Sequence, residues 1–265
     1  MYAFIKRTFD IVFSALMLIL LSPIMAMTAL MVKIKLGGPV IFVNYRPGKN
    51  GKVFALYKFR TMSNAKDENG ILLPDSQRWT KFGKALRATS LDELPQLWNI
   101  LKGDMSLIGP RPMIVRDAMY YGAQGNMVYE LAVRPGITGL AQIDGRNNST
   151  WENTFKNNEY YCEHMSLWLD IKIFFKTIKV VLSKSNTEKR KYAYYNDYLL
   201  AIGVIDKKEY ERGINYHNLV EKNCALGITQ YVTPFGTIPT LTKTKKKAVK
   251  VGDELLDDED KLKTA

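Results

Sequence analysis

Two adjacent carboxylates, Asp92 and Glu93, sit within Ser90-Leu91-Asp92-Glu93-Leu94-Pro95-Gln96-Leu97, with Arg87 upstream and Arg111 downstream. An aspartate in the first turn of a helix lies in the positive field of that terminus, stays ionised, and can act as a nucleophile or a Mg2+ ligand. Carboxylates set among phosphate-binding cations suit chemistry on a pyrophosphate. The octet also has a plain structural reading, because Ser90 and Glu93 carry the spacing of a capping box and acids favour first turns. Pro95 removes a backbone donor four residues after Leu91, which moves the regular helix towards Leu94 and leaves the pair in a shaped turn.

The cations need elements to place them. Gly37-Gly38-Pro39 breaks a preceding helix, Val40 to Tyr45 reads as a strand, Pro47 to Gly51 as a turn and Val53 to Tyr57 as the returning strand. This β-hairpin delivers Lys58 and Arg60 to a defined place. Asn64 to Trp79 is polar with Gly70 and Pro74, a surface loop, and Lys81 to Leu86 is a short basic helix leading into Arg87. Lys102-Gly103-Asp104 ends the helix after the dyad. Pro110 and Pro112 stiffen the backbone around Arg111, so less entropy is lost when its guanidinium forks onto an anion. Arg134-Pro135-Gly136 and Gly145-Arg146 repeat the pairing of a cation with a stiff or glycine-bearing loop. No P-loop and no strand-linked G-x-G-x-x-G is present.

Ile11 to Val32 contains no charged residue. As one helix, 22 residues would measure about 33 Å, enough for a bilayer core. Lys6 and Arg7 precede this run and Lys33 and Lys35 follow it, so the positive-inside bias puts both ends on the cytoplasmic face. A straight crossing does not satisfy that bias. A helix broken at Ser22-Pro23 does, because proline removes one intrahelical bond and the serine hydroxyl can serve the freed carbonyl. The reading is therefore a re-entrant helix. A cleaved signal peptide fits less well, since the run is long and ends in Lys33-Ile34-Lys35 without a small-residue cleavage site.

From Ser166 to Leu182, apolar residues including Leu167, Trp168, Ile171, Phe174 and Phe175 share a helical face flanked by Lys172, Lys176 and Lys179. Such a helix suits either a membrane interface or a soluble core. Tyr198 to Tyr210 reads as two short helices joined at Gly203, the second capped by Asp206. The last residues are basic at 243–250 and mostly acidic at 253–260, the pattern of a flexible tail. In all, the chain reads as α+β and mostly helical, with a re-entrant membrane helix (1–36), a catalytic domain (37–185), a helical C-terminal extension (186–242) and a charged tail (243–265).

An apolar share of 46% in 265 residues is ample for a core. Only two cysteines and two histidines occur, with no C-x-x-C spacing, which sets aside structural zinc and disulfides. The charge of +12, from 38 basic and 26 acidic residues, asks for an anionic partner. Nucleic acid is disfavoured, since the cations cluster around a carboxylate pair and no recognition motif is present.

Taken together, Lys58-Phe59-Arg60-Thr61-Met62, Leu86 to Leu97, Lys102 to Pro112 and Arg134 to Gly139 resemble the bacterial sugar transferases, the monotopic polyprenyl-phosphate phosphoglycosyl transferases. The likeness runs over about residues 1 to 185. It implies that Asp92 attacks the β-phosphate of a UDP-sugar, releasing UMP, and that undecaprenyl phosphate then collects the sugar phosphate. It further implies Mg2+ near Asp92, a Glu93 that orients the site or manages a proton, and Arg87, Arg111, Lys58, Arg60, Arg134 and Arg146 holding phosphates or uridine. The resemblance places the chain on the cytoplasmic face of the bacterial inner membrane. Downstream glycosyltransferases are further partners to consider, and a homodimer is left open. Asn158 stands where the family often carries aspartate. The competing reading is a catalytically silent membrane adaptor recruiting polysaccharide enzymes through its C-terminal region.

Overall fold

The computed structural model describes residues 2–123, 131–144, 150–182, 194–232, 239–240 and 249–250. The chain opens with α1 (Tyr2–Leu20) and α2 (Ser22–Leu36), bent by 62° at Leu21. The cause is the expected one. Pro23 has no N–H for the Ile19 carbonyl, and the Ser22 hydroxyl donates to that carbonyl instead at 2.7 Å. Among the described residues no single helix is long and apolar enough to cross a membrane, and the bent pair together passes on length and composition alone. Its outer surface is apolar, with Phe4, Phe9, Val12, Ile19, Met27 and Ile34 exposed.

The hairpin follows as β1 (Ile41–Pro47) and β2 (Val53–Phe59), antiparallel with Ile41 opposite Phe59. Residues 64–74 are irregular, but a turn of helix, α3 (Asp75–Arg78), occupies part of the expected loop. Thr80 caps α4 (Lys81–Ala88), accepting from the Gly83 N–H at 2.9 Å. Gly83 lets α4 touch the end of the hairpin, because a Cβ there would lie 1.7 Å from the Thr61 carbonyl oxygen.

A 3-10 turn over Leu91–Glu93 leads through Leu94 and Pro95 into α5 (Gln96–Lys102). The dyad does lie in a shaped turn, but Ser90 does not cap it. Its φ of 57° is left-handed and its side chain makes no cap bond. The capping-box expectation fails because the residue is used to reverse the chain after α4, with its N–H on the Arg87 carbonyl at 3.1 Å. Asn99 locks α5 to β2, donating to the Ala55 carbonyl at 2.7 Å and accepting from the Tyr57 N–H at 3.1 Å.

After α5, β3 (Ser106–Ile108) pairs in parallel with β4 (Gly136–Thr138), and α6 (Val115–Ala123) lies between them in sequence. Then come α7 (Leu140–Ile143), α8 (Trp151–Glu163), α9 (Leu167–Leu182), α10 (Tyr195–Ala201) and α11 (Lys207–Ala225), with short strands β5 (Pro239–Thr240) and β6 (Val249–Lys250). Asp206 caps α11 as expected, at 2.8 Å from the Glu209 N–H, but α11 has 19 residues and is not short.

One core gathers Phe54, Leu97, Ile100, Met105, Tyr161 and Ile173 beneath α1. Buried Asp170 on α9 ties this core to the N-terminus, accepting from Lys6 at 2.5 Å, from Tyr161 at 2.8 Å and from Tyr2. The apolar residues of α9 do not form a single face. Ile173 is buried and Phe174 packs inward, whereas Trp168 (76%) and Phe175 (65%) are exposed.

Candidate active site

Asp92 is 5% exposed and Glu93 is the hub beside it. Glu93 Oε1 accepts from Lys58 Nζ at 2.8 Å and pairs with Arg111 at 3.1 Å. Lys58 comes from β2, Arg111 from the loop after β3 and Glu93 from the turn before α5, so three elements meet on one carboxylate oxygen. Burial pushes the Glu93 carboxyl up, but Arg111 and Lys58 outweigh it and hold it at about 2. At neutral pH Glu93 is thus an orienting anion, too acidic to carry a proton in catalysis. Burial also pushes the Lys58 ammonium down, with Glu93 opposing the shift.

Asp92 behaves differently. Burial raises its carboxyl above the ordinary range, against the pull of Lys58, Arg87 and Arg111. Beside the expected field of the helix terminus, its ionisation is thus set by a balance of desolvation and the neighbouring Glu93 charge against three cations. Loss of hydration leaves a carboxylate a stronger nucleophile than in water, while neighbouring cations favour its ionised form. Arg87 reaches this region from the last turn of α4, with Nε 3.2 Å from Thr61 Oγ1 and its guanidinium 4.4 Å over the Trp79 ring.

Asp92, Glu93, Lys58, Arg87 and Arg111 are thus brought together. Arg60 and Arg134 are not. The Arg60 guanidinium donates to the carbonyls of Gly38 at 2.8 Å, Gly37 at 2.6 Å and Leu36, closing the C-terminal end of α2. Arg134 Nε donates to Gly103 O at 2.8 Å, at the end of α5 away from the dyad. Both were expected to hold phosphates or uridine; the Arg60 guanidinium and Arg134 Nε donate instead to main-chain carbonyls at helix ends. Arg146 lies outside the described residues. Asn158 is buried on α8.

Arg46 escaped the sequence reading. Its Nη1 lies 3.4 Å from the Pro112 carbonyl, and burial pushes its guanidinium down to about 10, with Arg111 adding to the shift. The signal was available: Arg46-Pro47, Arg111-Pro112 and Arg134-Pro135 are all Arg-Pro pairs.

Residues 1–184 match the family described as bacterial sugar transferase. The chain is 46% identical over 178 residues to the uncharacterized sugar transferase EpsL of Bacillus subtilis, covering 67% of this chain and 87% of that protein. It is 45% identical over 190 residues to the UDP-glucose:undecaprenyl-phosphate glucose-1-phosphate transferase of Klebsiella pneumoniae, and 41% identical over 198 residues to the undecaprenyl-phosphate galactose phosphotransferase of Salmonella typhimurium. Each of the latter two matches covers 68% of this chain but only 41% of the relative. With a dyad seated between cations and a match over most of its length, the chain belongs to the bacterial sugar transferase family.

Proposed function

We propose that this protein transfers a sugar 1-phosphate from a UDP-sugar to undecaprenyl phosphate through a covalent intermediate on Asp92. The observation that carries the reading is the division of labour in the dyad: Glu93 is pinned by Lys58 and Arg111, while Asp92 lies buried beside it in the field of the same cations. In the first step an Asp92 carboxylate oxygen bonds to the β-phosphorus, the bond from that phosphorus to the bridging oxygen breaks, and the electron pair leaves with UMP. In the second, a phosphate oxygen of undecaprenyl phosphate bonds to the same phosphorus and the Asp92 carboxylate is regenerated, giving the lipid-linked diphosphosugar. In this reading Arg111 and Arg87 stabilise charge on the transferring phosphate.

Among the described residues no three His, Cys, Asp or Glu side chains cluster as a metal site. Mg2+ asks for less, commonly one or two carboxylates with substrate phosphates and water filling the shell. Asp92 and Glu93, whose Oε2 is not used by Lys58 or Arg111, supply that set. They would hold the ion, which would neutralise the diphosphate and improve UMP as a leaving group.

The bent α1–α2 pair supports a re-entrant anchor, with Trp168 and Phe175 of α9 at the interface and the catalytic turn on the cytoplasmic side. The matched relatives differ in the sugar they are named for, so the donor is best found with a panel of UDP-glucose, UDP-galactose and UDP-N-acetylgalactosamine. The expected outcome is UMP release from one of them, dependent on Mg2+ and lowered at least about 10³-fold in Asp92→Asn. Undiminished release in that variant removes Asp92 from the chemistry.

A further inference from the structure

The family match ends at residue 184, yet residues 194–232 are built into the same fold. The Val53 N–H donates to the Gln230 carbonyl at 2.9 Å and the Val232 N–H to the Gly51 carbonyl at 2.8 Å, extending the hairpin turn. Gly51, with φ of 73°, permits this because a Cβ there would lie 1.9 Å from the Val232 carbonyl oxygen. Helix α11 approaches α6 as closely: a Cβ on Gly213 would lie 2.7 Å from the Tyr120 ring. Val53, Val115 and Tyr120 share one buried core with Leu199, Tyr216 and Val220.

This docking reaches the loop that carries Arg111. The Pro110 carbonyl accepts from the Gly136 N–H at 2.8 Å, and the Pro112 carbonyl lies 3.4 Å from Arg46 Nη1. The two carbonyls flanking Arg111 are therefore held from separate elements, β4 and β1. Glu221 on α11 bonds Asn44, two residues before Arg46 on the same face of β1, and the charges of Asp117 on α6 and Glu221 oppose the repulsion that Arg46 feels from Arg111. Without those carboxylates, the guanidinium of Arg46 on β1 and that of Arg111 on the loop after β3 would push apart. Glu221 is itself placed by Asn44 Nδ2 at 3.3 Å and His217 Nε2 at 3.7 Å, and Asp117 accepts from the Asn196 N–H at 3.3 Å.

We propose, resting on the reading of the dyad above, that Glu221 and Arg46 are positioning residues. Glu221 of the C-terminal extension steadies Arg46 against the Pro112 carbonyl, and Arg46 thereby fixes where Arg111 meets the diphosphate of the UDP-sugar. The extension is then part of the donor site and acts through Arg111.

The test is steady-state kinetics on the full chain in detergent, using whichever of the three UDP-sugars yields UMP, with undecaprenyl phosphate as acceptor. Arg46→Ala raises KM for the UDP-sugar about tenfold and Glu221→Gln about threefold, with KM for undecaprenyl phosphate unchanged. The double variant is no worse than Arg46→Ala alone, because the two act in series. Glu211→Gln, on the exposed side of α11, changes nothing. A purely structural role lowers the active fraction, and so the apparent kcat, while leaving both KM values alone. That result, or additive effects in the double variant, overturns the inference while leaving the transferase reading intact. A wild-type chain that releases no UMP from any of the three donors removes the transferase reading and this inference with it.

Discussion

The two ends of α5 carry similar charges and use them in opposite ways. At its C-terminal end, Arg7 donates to the carbonyls of Ile100 at 2.7 Å and Leu101 at 2.9 Å, and Arg134 donates to that of Gly103. These cations are spent on the backbone groups that every helix end leaves without partners. At the N-terminal end, Lys58 and Arg111 converge on a carboxylate and Arg111 keeps half of its side chain exposed. A cation that meets main-chain carbonyls is structural, whereas one balanced against an acid at an open surface can exchange that acid for a phosphate. A list of arginines does not separate the two.

The largest effect falls at Arg111. Arg111→Ala should lower kcat/KM for the UDP-sugar by about 10² to 10³-fold, the cost of losing a preorganised donor to the transferring phosphate. A loss below threefold would make Arg111 as structural as Arg134. Acid tests the same end by a different route. Glu93 lies at about 2 in the folded chain against an ordinary 4.5, so its contribution is complete above pH 4.5 and lost as pH falls through about 2. Its size is at most about 3 kcal/mol. Asp92, raised by burial, takes up its proton as the pH falls and offsets part of this loss. Thermal unfolding at pH 7, 4 and 2.5 should therefore show wild type losing stability more steeply than Glu93→Gln between pH 4 and 2.5. Parallel curves would mean that the Lys58 and Arg111 pairs do not hold Glu93.

The smallest effect belongs to the other end. Arg134→Ala should cost about 1 to 2 kcal/mol of stability, read as a lower unfolding midpoint, with KM for the UDP-sugar unchanged. A raised KM with an unchanged midpoint would return Arg134 to the substrate site.

Local signals made much of this legible. The hairpin, the break at Ser22-Pro23, the short basic helix from Lys81 and the dyad turn are each written in neighbouring residues, and the Ser22 hydroxyl does serve the carbonyl that Pro23 leaves free. Contacts distant in sequence were not legible. Strands β3 and β4 are three residues each and pair across thirty positions, with no periodicity to announce them. Arg60 sits two residues from Lys58, yet one reaches Glu93 and the other the end of α2. Ser90 carried a correct capping pattern, but tertiary structure needed a chain reversal at that position. Composition divided residues 186–242 from the rest, whereas the described part shares its core with α6 and the hairpin.

A covalent bond to Asp92 is visible to intact-mass spectrometry. The chain is incubated with Mg2+ and the UDP-sugar that it turns over, without undecaprenyl phosphate, and quenched. The expected result is an adduct of one sugar phosphate that maps to the Asp92 peptide, is absent in Asp92→Asn, and disappears when undecaprenyl phosphate is added before the quench. An unmodified chain that releases UMP only when both substrates are present would contradict it, since the phosphate would then pass from donor to acceptor without resting on the protein.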